Sequence, residues 1–359
     1  MPLHRVHRYA GLAAGLLWCF QALLGVLLVF RWELDDAALR SPTVALDAAA
    51  LATRIEAIER DQGRVDSVWT SGSRLGRFDI YYADAAGAGR TLRVDGAGHP
   101  LRDAADTSLV GNGGLYNTLS TLHQTLFAGA AGAWIIGLSG LLLVSNLAIG
   151  LRLAWPRARQ WAMAMLARPT GAGYSRLAGW HRLLGLWLVV PAILIAGSGT
   201  LLAFKDTAER VLGAQRPEPD PALAGGNGRR GTGPAAVIDA ALARYRGATL
   251  TALVMPGEGA PWYRVRLRTA QEEPRIWGTT TLYFSATDGR LLLAQPADTA
   301  KVGRRFIDAL YPVHTGQIGG AALRAVAALT GAGLVAMFVL GFRAWRCRRA
   351  SHAMPTRGR

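Results

Sequence analysis

Four long apolar runs constrain this chain more than anything else in it. Residues 9–30, 126–151 and 183–204 carry no charged side chain, and residues 318–342 carry only Arg324. A helix needs roughly 20 apolar residues to cross about 30 Å of hydrocarbon, and each run is long enough. One such run could be a buried core helix; four in one chain predict a four-helix membrane protein. The first run exceeds the apolar core of a cleaved leader, and no small-x-small site follows it, so it is read as a retained helix.

A formal net charge of +16 would suit a nucleic-acid binder if it were spread evenly. It is not. Residues 1–8 hold two Arg, 152–182 hold six and 343–359 hold six, with no acid in any of them. Four crossings put these three stretches on one side, so the excess is a positive-inside signal rather than a nucleic-acid surface. It predicts both termini in the cytoplasm and two long loops on the far side. Trp32, Trp155, Trp180 and Trp345 stand at helix ends, where interfacial aromatics anchor. The two cysteines, Cys19 and Cys347, lie outside those loops, which excludes a disulfide scaffold and c-type haem attachment there. The expected layout is a cytoplasmic start (1–8), spans at 9–31, 123–151, 183–204 and 315–342, external domains at 32–122 and 205–314, a basic loop (152–182) and a basic tail (343–359).

The chain is a duplicated unit. His7, Arg8, Gly11, Leu12, Gly25 and Phe30 match His181, Arg182, Gly185, Leu186, Gly199 and Phe204 without a gap. In the second and fourth helices His123, Gly129, Gly140, Gly150 and Arg152 match His314, Gly320, Gly331, Gly341 and Arg343 in the same way. Chance similarity between apolar helices aligns Leu and Ala, not His, Arg and Gly at a constant offset. Two crossings per unit make these parallel repeats, related by an axis along the membrane normal. Each external loop reads as a helix followed by strands: a helix at 45–60 with strands at 65–70, 77–82 and 90–94, then a helix at 235–245 with strands at 250–255, 262–268, 279–285 and 291–294. A Pro/Gly-rich linker, 217–234, precedes the second. The fold class expected is mostly α, with α+β extracytoplasmic parts.

Of seven histidines, four are repeat-matched and lie beside a membrane run. Across the repeat axis, His7 is expected to face His181 at one membrane face and His123 to face His314 at the other. Two opposed imidazoles are what a bis-His haem iron requires. A helix N-terminus beside each ring would keep it neutral for ligation. Zinc competes for imidazole, but no Cys or carboxylate repeats beside either pair. Arg8 and Arg182 suit haem propionates, although positive-inside topology explains them equally. His4, His99 and His352 have no repeat partner, and His4 lies one turn from His7. The cytoplasmic segments leave no room for a flavin or nicotinamide domain, so an electron donor would be a quinol or a separate reductase.

His-Arg-x-x-Gly-Leu opening an apolar helix (7–12 and 181–186), the later Gly25 and Gly199, and the exit into a helix-then-sheet domain resemble the PepSY-associated transmembrane family. The resemblance covers nearly the whole chain. It implies PepSY-like periplasmic domains and a bacterial inner-membrane protein with two b-type haems held by His7, His181, His123 and His314. The activity it implies is that of a ferrisiderophore reductase, which passes electrons outward to Fe(III) in a periplasmic siderophore. Two other classes fit parts of the sequence. A haem-free regulatory protein would bind peptides or a protease through the external domains. A metal or siderophore transporter would use the parallel repeats, but ionisable residues usually mark a substrate path and only Arg324 is charged within a span.

Overall fold

The computed structural model describes all residues except 1, 40, 62, 74, 225–230 and 354–359. Part of the 217–234 linker and the end of the basic tail therefore lie outside the described residues. The first half of the chain runs α1 (Leu3–Val29), α2 (Arg31–Leu39), α3 (Ala48–Arg60), β1 (Arg64–Thr70), β2 (Arg77–Ala83), β3 (Gly89–Asp95), β4 (Pro100–Ala105), α4 (Gly114–Thr125) and α5 (Gly129–Ala154). A short α6 (Trp161–Leu166) follows. The second half repeats the order: α7 (Gly173–Ala203), α8 (Lys205–Val211), α9 (Pro234–Arg244), β5 (Thr249–Val254), β6 (Trp262–Arg268), β7 (Thr280–Ser285), β8 (Leu291–Gln295), α10 (Val302–His314) and α11 (Gly320–Ala353). The duplication read from histidines and glycines thus extends to every principal element.

The elements form two compact units, one of residues 1–29, 120–205 and 310–359, the other of residues 30–119 and 206–309. In the first, α1, α5, α7 and α11 are long and apolar enough to cross a membrane, which makes this a multi-pass membrane protein. Helix α1 packs against α5 and α11, and α7 packs against the same two, so α1 and α7 stand diagonally across the bundle. Repeat-matched small residues sit at these contacts: Gly140 lies on Thr200 and Gly331 on Ala22 and Val26. Close backbone approach through small residues is how helices associate where lipid removes the hydrophobic drive. The lone charge in the fourth run is accounted for. Arg324 donates from Nη2 to the Val29 carbonyl, 2.5 Å away at the end of α1, where helix carbonyls lack intrahelical donors.

The second unit is one antiparallel sheet of eight strands in the order β4-β3-β2-β1-β5-β6-β7-β8. Each half is a four-stranded meander, and the two meanders join where β1 pairs with β5 at Ser67–Val254, Val68–Leu253 and Trp69–Ala252. Separate helix-plus-strand segments were legible in the sequence; their fusion into one sheet was not. Strand β4 also went unread, because Pro100 and Asp103 depress strand propensity. Helices α3 and α9 cover one face. Asp47 caps α3 by accepting from the Ala50 amide at 3.0 Å, and Pro234 opens α9. Leu51 and Ile55 of α3 and Val237, Ile238 and Ala241 of α9 enter a single core with Val68, Ile80, Val94, Leu253, Val265 and Leu282.

Strand residues alternate faces. The opposite face therefore carries Arg77, Asp79, Arg93, Trp69 and Arg266, whose sequence neighbours are core residues. Over the first meander it is closed by buried ion pairs. Arg93 grips Asp79 with two bonds of 2.7 and 2.8 Å and also meets Asp35 of α2. Arg102 grips Asp35 at 2.7 and 2.9 Å, and Arg77 pairs with Asp36.

Candidate functional site

The four repeat-matched histidines come together in two pairs. The rings of His7 on α1 and His181 on α7 stand 6.1 Å apart between centroids at an interplanar angle of 68°. His123 and His314 stand at the same 6.1 Å with an angle of 39°. Metal–imidazole bonds are about 2 Å long, so two rings ligating one ion end-on bring their centroids to about 6 Å. Both pairs have that spacing.

Backbone carbonyls of the bundle fix the rings. His7 Nδ1 lies 3.2 Å from the Asn146 carbonyl, His181 Nδ1 2.9 Å from that of Met337, and His314 Nδ1 2.9 Å from that of Ile195. A carbonyl only accepts, so each Nδ1 carries the proton and each Nε2 keeps its lone pair. His123 turns toward the Gln21 carbonyl but falls outside hydrogen-bonding geometry. Asn146 and Met337 are repeat mates, as are Gln21 and Ile195, so three rings bond equivalent carbonyls and the fourth faces the remaining one without bonding it. Four residues after each carbonyl comes a glycine: Gly150, Gly341, Gly25 and Gly199. The ring edge of the corresponding histidine packs on it, and a Cβ there would stand 3.0 Å from His7 Cε1, 3.3 Å from His181, 3.7 Å from His123 and 2.6 Å from His314. In an α-helix the carbonyl of residue i points toward residue i+4, so a glycine at that place, having no Cβ, leaves room for an imidazole from another helix to approach the carbonyl.

Buried polar atoms also stand in these layers. Both amide atoms of Gln21 and Oδ1 of Asn146 are buried with no hydrogen-bond partner among the described residues. Their repeat mates, Ile195 and Met337, are apolar. An unsatisfied amide between membrane helices costs several kcal/mol, and a polar group of a bound cofactor would relieve it. Ring spacing, the tautomers fixed in three of the four rings and the orphaned amides fit two bis-imidazole haem sites. A four-coordinate protein-only metal site needs more donors than two imidazoles supply. Along α1, His7 and Gln21 lie fourteen positions apart. That separates the two layers by roughly 21 Å of helix rise.

Two expectations need revision. His123 and His314 do not open the spanning helices; they lie in the last turns of the separate helices α4 and α10. The chain breaks after them, with positive φ at Leu126 and Phe127 and at Gly316. His181 likewise sits well inside α7. The helix-dipole argument for neutral rings therefore fails for these three; carbonyl contacts set the tautomer of His181 and His314, while His123 Nδ1 has no hydrogen-bond partner among the described residues. The two arginines have local partners. Arg182 donates to the Ala154 carbonyl at 3.3 and 3.1 Å, closing the end of α5. Arg8 lies over the Tyr9 ring, 4.9 Å from its centroid. His4 is exposed on α1, and His99 is a surface residue beside Asp95 at 3.2 Å. The carbonyls that orient the rings escaped sequence reading because a backbone group leaves no residue signature. The paired glycines were the available clue. A family model described as the PepSY-associated TM region matches residues 4–348. No curated protein matches the chain.

Proposed function

The chain belongs to the PepSY-associated transmembrane family, and from that premise we propose that it is an electron-transfer protein of the bacterial inner membrane that reduces ferric siderophore iron on the periplasmic side. The observation that carries this reading is the pair of matched histidine layers, each with ring centroids 6.1 Å apart. His7 and His181 would hold one b-type haem and His123 and His314 a second. When bound, haem iron alternates between its ferric and ferrous states and so exchanges one electron at a time. The protein's own residues do the rest. The Asn146, Met337 and Ile195 carbonyls hold the Nδ1 protons, so that Nε2 is presented for ligation. The apolar helices exclude water from both layers, and the basic segments 152–182 and 343–359 set the cytoplasmic side. Reduction of Fe(III) to Fe(II) takes one electron per iron; a quinol or a separate cytoplasmic reductase supplies it.

The test is an absorption spectrum of the detergent-purified protein, oxidised and then dithionite-reduced, with haem counted as the pyridine complex. The expected result is low-spin b haem at about two per chain. His7→Ala and His181→Ala should each remove the haem of one layer, and His123→Ala and His314→Ala that of the other. A colourless wild type from haem-replete cells overturns the reading and shifts attention to peptide or protease binding by the sheet.

A further inference from the structure

Arg266, on the polar face of the sheet, has no acid partner among the described residues. A single transverse row crosses all eight strands through the pairs Arg102–Arg93, Arg93–Asp79, Asp79–Trp69, Trp69–Ala252, Ala252–Arg266, Arg266–Thr281 and Thr281–Gln295. The pseudo-symmetry about the β1–β5 seam sets Asp79 of one half against Arg266 of the other. In the first half Asp79 meets Arg93 and the charges cancel. In the second, Arg266 meets Thr281, whose hydroxyl already accepts from Arg216 at 2.9 Å.

The acids nearby are committed elsewhere. Arg216 and Arg304 share Asp308 at 3.0 and 2.7 Å, and Arg304 also takes Glu209 at 2.8 Å. Arg264 points to Glu218 at 3.7 Å. Arg266 makes no ion pair or side-chain hydrogen bond among the described residues, and its Nε is buried without a partner. The guanidinium lies over the Trp69 ring, 5.5 Å from the centroid, a contact that the small Ala252 between them allows. Trp277 meets Trp69 edge-on, with ring centroids 6.0 Å apart at 83°. Burial and the charge of Arg216 push the Arg266 pKa down to about 10 against the pull of Asp308. It stays cationic at neutral pH. A half-buried cation without an anion is costly, and stacking on tryptophan offsets only part of that.

We propose that Arg266, held against Trp69, is a docking site for an oxyanion, the carboxylate type carried by small organic chelators. The planar guanidinium fork takes a carboxylate or a phosphate through two parallel bonds. The assignment of a chelator carboxylate rests on the ferric-chelate reading above; the oxyanion chemistry of the site does not.

Full-length protein in detergent is titrated with iron-free citrate and, separately, with inorganic phosphate, at ionic strength held constant with chloride. Amide exchange is followed at residues 262–268 and 64–70. Saturable protection of both strands by citrate is expected in the wild type. Arg266→Met should weaken the apparent affinity about tenfold or more, and Arg266→Lys, which keeps the charge but loses the fork, should fall between. Protection by phosphate alone would keep the oxyanion site and remove the carboxylate assignment. Without added anion, Arg266→Met should protect the sheet at least as well as the wild type, because it removes an unpaired charge and keeps the stem. The proposal is overturned if neither anion gives saturable protection, if Arg266→Met binds as the wild type does, or if that variant loosens the anion-free sheet. A colourless wild type that still binds citrate removes the electron-transfer reading and leaves this site standing.

Discussion

If the two histidine layers hold haem as proposed, Gly199→Ala is expected to strip it from the His123/His314 layer while sparing the other. A Cβ at Gly199 would stand 2.6 Å from His314 Cε1 and 2.9 Å from its Nδ1. The ring must then move, and in moving it loses the 2.9 Å bond to the Ile195 carbonyl that sets its tautomer. Its repeat mate provides the control. At Gly25 a Cβ would meet His123 Cε1 at 3.7 Å, an ordinary contact, so Gly25→Ala should keep both haems. Gly150→Ala and Gly341→Ala, at 3.0 and 3.3 Å from His7 and His181, should fall between and act on the other layer. The check is haem per chain and the reduced spectrum of each variant. Outer-shell partners of metal-bound histidine typically change metal affinity 10–100-fold, so loss of one haem of two is the scale expected for Gly199→Ala. Equal haem content in Gly199→Ala and Gly25→Ala would remove the link between these glycines and ligation.

Asp35→Ala is expected to cost the sheet unit about 3–5 kcal/mol, the usual penalty for breaking a buried ion pair by removing one partner. Asp35 accepts both bonds of Arg102 and one from Arg93, and all three side chains are mostly buried. Arg93 keeps Asp79, but Arg102 is stranded. Amide exchange across β2 and β3 should report the loss directly. Its pH dependence has a definite sign. Burial opposes ionisation of Asp35, but the hydrogen bonds and charges of Arg102 and Arg93 outweigh it and hold the carboxyl below its ordinary value. A carboxylate depressed in the folded state stabilises above its unfolded pKa of about 3.9, and that stabilisation disappears as pH falls through the folded value. The gap between wild type and variant should therefore be flat from neutrality down to about pH 5 and close in stronger acid. A gap that widens on acidification would contradict the assignment of Asp35 as the ionised centre of this network.

Much of this protein is local information. The four spans, the duplication and the helix-then-strand order depend on hydropathy, periodicity and turn residues, which neighbouring positions encode together. The four histidines were legible for the same reason, since a constant offset ties each to its mate. What the sequence could not determine depends on groups brought together from far apart. Nothing near Trp69 indicates that its strand will pair with that of Ala252, because hydrogen bonds between strands are made by backbone that every residue shares. The carbonyls of Asn146, Met337 and Ile195 are silent for that reason too, and only packing of one helix on another turned them toward imidazoles. The breaks after His123 and His314 moved those residues from helix starts to helix ends, which no hydropathy pattern reveals. Arg266 is one of many arginines in the chain, and it became distinctive only when the sheet placed threonine, rather than an acid, across from it.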